Sequence, residues 1–541
     1  MNSSMMGTPL LISSLIQHAA NVHGSVEVVS ALGGGKVHRY TYSQAHSRSR
    51  RLAAALTALG VEAGDRVATL AWSGYRHFET YYAVTGMGAV CHTVNPKLFV
   101  EQVRYTMQHA EDAVVLVDAD FLSLLEQVAP TCPAIRHLIF MGARGDMPQT
   151  TLPNLLCYED LLANADDSFE WPVLDEDAAA YLSYTSGTTG NPKGVLYSHR
   201  STILHTYSMA LPDAMNLSGA SVIAPVIQLF HVNAFGLPCA APLTGAKLVF
   251  PGSALDPASL FALFESERVT MTAAVPTLWQ QFLLYMQKGE LRPSTLKHIV
   301  IGGSACSPAL IKSYQEGYGI QIRHVWGMTE TSPLCVTNSF REKHAAWSAE
   351  DRYALQGKQG RPLFGVQMKI IDADGNTLPN DGRACGELVV RGPWICREYY
   401  KGTTPALTPD GWFITGDVVS IDADGYMQIT DRSKDVIKTG GEWISSIQLE
   451  NIALSHDSVA EAAVIAIPHP KWDERPLLVV VAKPGEQVDR DALLAHFRGK
   501  VANWWIPDDV VSVDNLPYTA TGKVEKKRLR EQFKDHQPSG W

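Results

Sequence analysis

The hydrophobic and polar positions of this chain follow two distinct rhythms. From about position 40 to 248, amphipathic helical stretches alternate with short apolar runs. Residues 43–59 carry helical periodicity and stop at Gly60, while 66–72, 114–117, 138–140, 178–182 and 247–250 read as buried strands. A helix over 260–269 leads to a strand over 271–275, and the strand at 296–301 runs straight into Gly302 and Gly303. Such alternation predicts parallel sheets covered by helices. After about Gly360 the rhythm shortens. Strands at 366–371, 386–391 and 427–430 are separated by the turns Asp374-Gly375, Asp381-Gly382 and Asp424-Gly425, which predicts a smaller antiparallel β unit. Beyond a charge-dense stretch at 431–438 the order is helix (446–455), strand (459–467), strand (477–483) and helix (489–499). That is the size of an independent small domain. The fold class predicted is therefore α/β. A large N-terminal domain of stacked α/β sheets plus a β subdomain spans 1–431, a hinge lies at 432–434, and a small α+β C-terminal domain spans 435–541.

Composition changes this picture little. A chain of 541 residues exceeds what one core organises, so at least two domains are expected. The net charge of −10 argues against general nucleic-acid affinity, which needs a basic surface. Eight cysteines without a C-x-x-C pair indicate neither a zinc site nor a disulfide framework, and read as thiols of a reducing cytosol. No charged region precedes the apolar patch at 9–16, and no apolar run reaches the length of a membrane span. A cytoplasmic protein is expected.

The candidate chemistry begins with Thr185, Ser186, Gly187, Thr188, Thr189, Gly190, Asn191, Pro192, Lys193 and Gly194, which come directly after an apolar strand. Glycines permit close backbone approach, while four hydroxyls and one ammonium supply donors for a polyphosphate. This is not a Walker A loop: Pro192 occupies the second glycine position and Gly194 replaces the hydroxyl after the lysine. Four further places have chemical potential. Trp326-Gly327-Met328-Thr329-Glu330 offers an aromatic face, a glycine and a carboxylate suited to a hard cation. Thr415-Gly416-Asp417, at the end of a strand over 412–414, offers an acceptor for ribose hydroxyls. Lys523, on a Gly-flexed loop before a basic helix over 524–533, is a mobile point charge. His231 ends an apolar run. Taken alone, each has a plainer reading as turn, core or solvated residue, and Lys526, Lys527 and Arg528 read as a solvated helix face.

Together, in order and spacing from about Thr41 to Lys523, these segments resemble the adenylate-forming superfamily. It comprises acyl-CoA synthetases, peptide-synthetase adenylation domains and beetle luciferases. The segment Asp431-Arg432-Ser433-Lys434-Asp435 takes its place in the same series. The resemblance implies a C-terminal domain that rotates between two half-reactions. First a carboxylate attacks the α-phosphate of Mg·ATP, giving an acyl-adenylate and pyrophosphate; then the thiol of coenzyme A displaces AMP. By the same resemblance Lys523 bridges carboxylate and α-phosphate, and His231 stands near the carboxylate and thiol. Glu330 with Thr185 holds Mg²⁺. The nucleotide is bound by the loop Thr185 to Gly190 with Lys193, by Gly303, Ser304 and Ala305, and by His324, Val325, Trp326, Gly327, Met328 and Thr329. Asp417, Arg432 and the hinge residue Lys434 complete that set. Lys438, Gly440, Gly441, Glu442 and Trp443 line the coenzyme A tunnel.

The residues just after His231 constrain the acid. Amino-acid-activating relatives place an aspartate there, whereas this chain has Val232-Asn233-Ala234-Phe235-Gly236. Val232, Phe235, Gly302 and Pro333 are expected to form an apolar pocket, with Gly303 and Met328 nearby and Phe235 shortening it. A short- or medium-chain acid is the expected substrate. Asn95-Pro96-Lys97-Leu98 and the run from Gly440 to Ser446 look like the medium-chain branch, which includes 3-methylmercaptopropionate–CoA ligases. The alternatives are an acyl-AMP ligase that loads a carrier protein, an aryl or other carboxylate–CoA ligase, and a luciferase-like protein. Partners are expected to be the small acid, ATP and coenzyme A, with neither nucleic acid nor membrane, and a homodimer stays open.

Overall fold

The computed structural model describes residues 4–185, 191–402, 407–432, 434–439, 442–518 and 524–538. Two large sheets dominate. In the first, the strands Leu156–Cys157, His137–Phe140, Val114–Val117, Arg66–Leu70, Val90–Thr93 and Ala179–Tyr184 lie side by side in parallel. Gly194–Ser198 closes its edge antiparallel to Ala179–Tyr184. In the second, Gln321–Gly327, His298–Ile301, Met271–Ala274, Val222–Pro225, Lys247–Phe250 and Glu27–Gly33 are parallel neighbours. Antiparallel strands close both of its edges. Strands buried on both faces are continuous apolar runs, which is why most of them are visible in the sequence.

The helix Tyr75–Gly86 packs against strands of both sheets, and one continuous core joins them. The helix Tyr42–Ala58 starts where the pattern predicts. Thr41 Oγ1 accepts from the Gln44 N–H while Gln44 Oε1 accepts from the Thr41 N–H, a reciprocal cap. The first forty residues hold elements that the hydrophobic pattern does not announce. They form the helix Ser13–Val22 and a hairpin, Glu27–Gly33 with Lys36–Thr41, whose turn takes Gly33, Gly34 and Gly35 through positive φ. Chain order conceals this pairing, since Glu27–Gly33 finds its neighbour more than two hundred residues later, at Lys247–Phe250.

The antiparallel unit expected after Gly360 is present as Gln367–Ile371, Cys385–Arg391, Phe413–Ile421 and Met427–Arg432. One boundary needs correction. Thr415, Gly416 and Asp417 do not end a strand; they lie inside the nine-residue strand Phe413–Ile421. Gly416 has φ +74°, and the ladders on both sides slip register nearby, so bulges carry a polar segment through the sheet. The last strands, from Ile437–Thr439 to Asp509–Ser512, form a separate sheet with its own apolar clusters.

The basic helix also differs from expectation. It spans Lys526–Gln532, and Lys527 and Arg528 are exposed, but Lys526 is not part of a solvated face. Its side chain is 13 % exposed, with Nζ 2.7 Å from Glu450 Oε1 and 2.5 Å from Ser446 Oγ. Lys526 shares a helix face with buried Leu529 and with Arg530, which pairs with Asp435 at 2.8 Å. Composition alone hides this, because three adjacent basic residues occupy different faces of a helix. Among the described residues, no helix is long and apolar enough to cross a membrane.

Candidate active site

The candidate residues gather where parallel strands end, the side on which open α/β sheets build their sites. The strand Gln321–Gly327 carries Trp326 to its carboxyl end. Trp326 is buried, and its Nε1–H donates to Asp417 Oδ2 at 2.9 Å. Asp417 is paired across the ladder with Arg432, whose Nε lies 3.5 Å from Asp417 Oδ1. Three residues far apart in sequence thus form one unit, in which an indole and a guanidinium fix a carboxylate that is 7 % exposed.

Glu330 lies four residues after Trp326 and is also buried. Burial raises its carboxyl pKa, and the Tyr399 hydroxyl opposes that shift by donating to Oε1 at 2.8 Å. The Lys193 ammonium sits 4.6 Å from the centre of the Tyr399 ring, a cation–π contact. Tyr399 therefore links the phosphate-loop lysine to the candidate metal ligand. Its sequence context gives no sign of this, since Tyr399 and Tyr400 are simply two tyrosines between charged residues. Tyr197 adds a second support, its hydroxyl donating to the Thr329 carbonyl. A desolvated carboxylate beside a hydroxyl and an ammonium fits one Mg²⁺ shared with phosphates, which needs only one or two protein carboxylates.

The segment expected to line the apolar pocket has an unusual backbone. Val232, Asn233, Ala234, Phe235 and Gly236 all have positive φ, between +42° and +76°. Left-handed conformation costs L-residues about 1–2 kcal/mol each, so this turn must be held by its surroundings. Asn233 is buried, and its Oδ1 accepts from the hydroxyls of Tyr81 at 2.9 Å and Ser183 at 3.4 Å. Behind the turn, burial pushes the pKa of His205 down to about 3, and its neutral Nε2 accepts from the Leu334 N–H. Phe235 itself is buried and reaches Gly302: a Cβ there would lie 3.2 Å from Phe235 Cζ and 2.9 Å from Val325 Cγ2. Gly327 is equally constrained, since a Cβ would strike the Pro333 carbonyl, which also accepts from the Met328 N–H. Gly302, Val325, Phe235, Pro333 and Met328 are thereby tied into one neighbourhood.

The remaining sequence candidates fall into several positions. Gly303 and Ser304 are exposed and Ala305 half-buried in the loop between the strand His298–Ile301 and the helix Pro308–Tyr318. His324 is a core residue, with Nδ1 3.0 Å from the Gly357 carbonyl oxygen and a pKa lowered by burial to about 4. Thr185 Oγ1 accepts from the Lys193 N–H, closing the base of the phosphate loop. Lys434 is exposed beside Arg432, and burial of its stem lowers its pKa. Lys438 and Thr439 pair with Trp443 and Glu442 in a short antiparallel ladder. Ser186, Gly187, Thr188, Thr189, Gly190, Gly440, Gly441 and Lys523 lie outside the described residues.

Asp417 held by Trp326 and Arg432, the buried carboxylate of Glu330 and the apolar residues around Phe235 are the main features of the candidate site. Comparison with known proteins gives the family. Residues 16–400 match the family described as AMP-binding enzyme, and residues 448–523 its C-terminal domain. The chain belongs to the AMP-binding enzyme family. It is 49% identical over 535 residues to a 3-methylmercaptopropionyl-CoA ligase of Ruegeria lacuscaerulensis, covering 99% of each chain. It is 46% identical to a medium-chain-fatty-acid–CoA ligase of Ectopseudomonas oleovorans, covering 99% of this chain and 98% of the relative. Among solved structures, an anthranilate CoA ligase in complex with anthranoyl-AMP shares the fold, with a TM-score of 0.87, 24% identity and coverage of 98% and 99%.

Proposed function

We propose that this protein is an AMP-forming acyl-CoA ligase acting on a short or medium aliphatic acid, with 3-methylmercaptopropionate the leading candidate. The observation that carries the reading is the carboxylate clamp of Trp326, Asp417 and Arg432, with Trp326 four residues before Glu330 and one after Val325, which meets Phe235 at Gly302. Both substrates of the first step are anions, so charge neutralisation and alignment matter more than proton transfer. Asp417 accepts from the ribose hydroxyls, and Trp326 and Arg432 keep it oriented. Lys193, the loop it closes and Lys523 bind the phosphates. Glu330 and Thr185 would hold Mg²⁺, which supplies charge compensation on the phosphate oxygens. The carboxylate oxygen attacks the α-phosphorus and pyrophosphate leaves. The C-terminal domain, hinged at 432–434, then brings Lys438 and the segment from Gly440 to Trp443 to the site for coenzyme A.

The side chains around Gly302 support the choice of acid. Phe235 and Val325 crowd Gly302, so bulk is limited there, which favours a short acid, and a thioether sulfur packs well against an aromatic edge. No acidic side chain comes after His231 in this turn to hold an ammonium group. The test is an acid panel of propionate, 3-methylmercaptopropionate, butyrate, hexanoate, octanoate and benzoate, scored by AMP and thioester formation. Highest kcat/KM is expected for 3-methylmercaptopropionate or a four- to six-carbon acid. Gly302→Ala should lower kcat/KM for octanoate by about tenfold or more relative to propionate, because the new methyl presses on Phe235 and Val325. Preference for benzoate, or thioester formation only on a carrier protein, would refute the assignment.

A further inference from the structure

One buried pair beside this site has no part in the two half-reactions as described. His92, on the strand Val90–Thr93, and Asp112, just past the helix Val100–Ala110, are both fully buried. His92 Nδ1 lies 2.9 Å from each oxygen of the Asp112 carboxylate. An imidazole N–H donating to a carboxylate fixes the tautomer and leaves the lone pair on Nε2. That Nε2 is buried and has no hydrogen-bond partner among the described residues. Orphaned buried polar atoms are rare in native folds, and each one calls for an explanation.

The surroundings point to one. His92 lines a cavity together with Asn95, Leu98, Tyr184, Thr185 and His231. The strand that carries His92 pairs with Ala179–Tyr184, the strand that feeds the phosphate loop. The Tyr184 ring packs 5.1 Å from the His92 ring, and its hydroxyl lies 2.7 Å from His109 Nδ1. The titratable groups facing the pair are thus His109, Tyr184 and His231, with Cys91, Cys132 and Arg66 close to Asp112. A carboxylate-oriented imidazole with a free lone pair, at a cavity shared with the phosphate loop and His231, is arranged to take a proton.

Resting on the acyl-CoA ligase reading, we propose that the Asp112–His92 pair accepts the thiol proton of coenzyme A in the second half-reaction. The S–H bond breaks with its proton passing to His92 Nε2, and the sulfur forms a bond to the acyl carbon. The carbon–oxygen bond to the phosphate breaks, and AMP leaves with the electron pair. Asp112 stabilises the imidazolium that forms, and the proton then passes to solvent. An imidazole held by a carboxylate suits this task, since one ring nitrogen is anchored and the other is left as an acceptor aimed at the proton to be removed.

The test measures the two half-reactions separately on the full-length protein. ATP–pyrophosphate exchange without coenzyme A reports adenylation; single-turnover thioester formation from preformed acyl-AMP reports the second step. His92→Gln is expected to retain most of its exchange and to lose about 10²–10³-fold in thioester formation at neutral pH. The loss should shrink as pH approaches the thiol's own pKa of about 8.5, where solvent supplies the thiolate. Asp112→Asn should show a smaller loss with the same pH trend. Wild-type enzyme should show a normal solvent deuterium isotope effect on thioester formation and none on exchange, a measurement independent of how the variants fold. Equal loss of both half-reactions, a loss independent of pH, or no isotope effect would overturn the proposal. A wild-type enzyme that forms no thioester with any acid would instead overturn the ligase reading.

Discussion

Lys523→Ala is expected to reduce acyl-adenylate formation by about 10²–10³-fold while leaving thioester formation from preformed acyl-AMP largely intact. In the proposed scheme this lysine is the one cation that touches both the attacking carboxylate and the α-phosphate. Two anions brought together repel each other, and the pentacoordinate transition state gathers more charge on its equatorial oxygens than the ground state holds. A point charge placed there stabilises the transition state more than bound ATP, so kcat falls rather than KM rising. Lysine suits the role, because its compact ammonium on a flexible stem tolerates the movement of a small domain. ATP–pyrophosphate exchange measures the loss directly. Equal loss of both half-reactions would mean that Lys523 supports the fold or the hinge rather than the adenylation step.

Asp417→Ala is expected to raise KM for ATP by about 10–100-fold, the equivalent of about 1.5–3 kcal/mol for hydrogen bonds to a charged group. The ribose hydroxyls lose their acceptor, and two protein groups lose theirs as well. The Trp326 Nε1–H would be left buried and unpaired, and Arg432 would lose the carboxylate that draws it across the ladder. Asp417→Asn separates these effects. It keeps one acceptor oxygen for the ribose or the indole but removes the charge that holds Arg432, so an intermediate KM is expected. Initial-rate kinetics with varied ATP at saturating acid, alongside a thermal unfolding midpoint, distinguish a binding loss from a folding loss. An unchanged KM for ATP would remove Asp417 from the nucleotide site.

Much of this architecture is legible in the chain because parallel strands covered on both faces need no alternation. Residues 114–117 and 247–250 are recognisable as apolar runs for that reason. The motif residues are legible too, since Trp326, Glu330, Asp417 and Lys193 sit in short segments of unusual composition. Hidden features depend on partners remote in sequence. Asp417 is held by Trp326 from 91 residues away, and Tyr399 reaches Glu330 across 69. The left-handed turn at Val232 to Phe235 cannot be read, because only Asn233 among the four favours that backbone and the forces holding it come from Tyr81 and Ser183. Lys526 is misplaced by composition for a related reason: its face of the helix is decided by Glu450 and Ser446 on another element.

The central claim is that the acid is activated as an acyl-adenylate before it meets a thiol, and isotope transfer tests it most directly. The acid, labelled with ¹⁸O in both carboxylate oxygens, is turned over with ATP and coenzyme A, and the phosphorus products are analysed by mass. Attack of the carboxylate on the α-phosphorus, then cleavage of the carbonyl carbon–oxygen bond, predicts one ¹⁸O in each AMP and none in pyrophosphate. Label in inorganic phosphate, or AMP without label, would contradict the account, because the acid would then have been activated at another phosphorus or not through phosphorus at all.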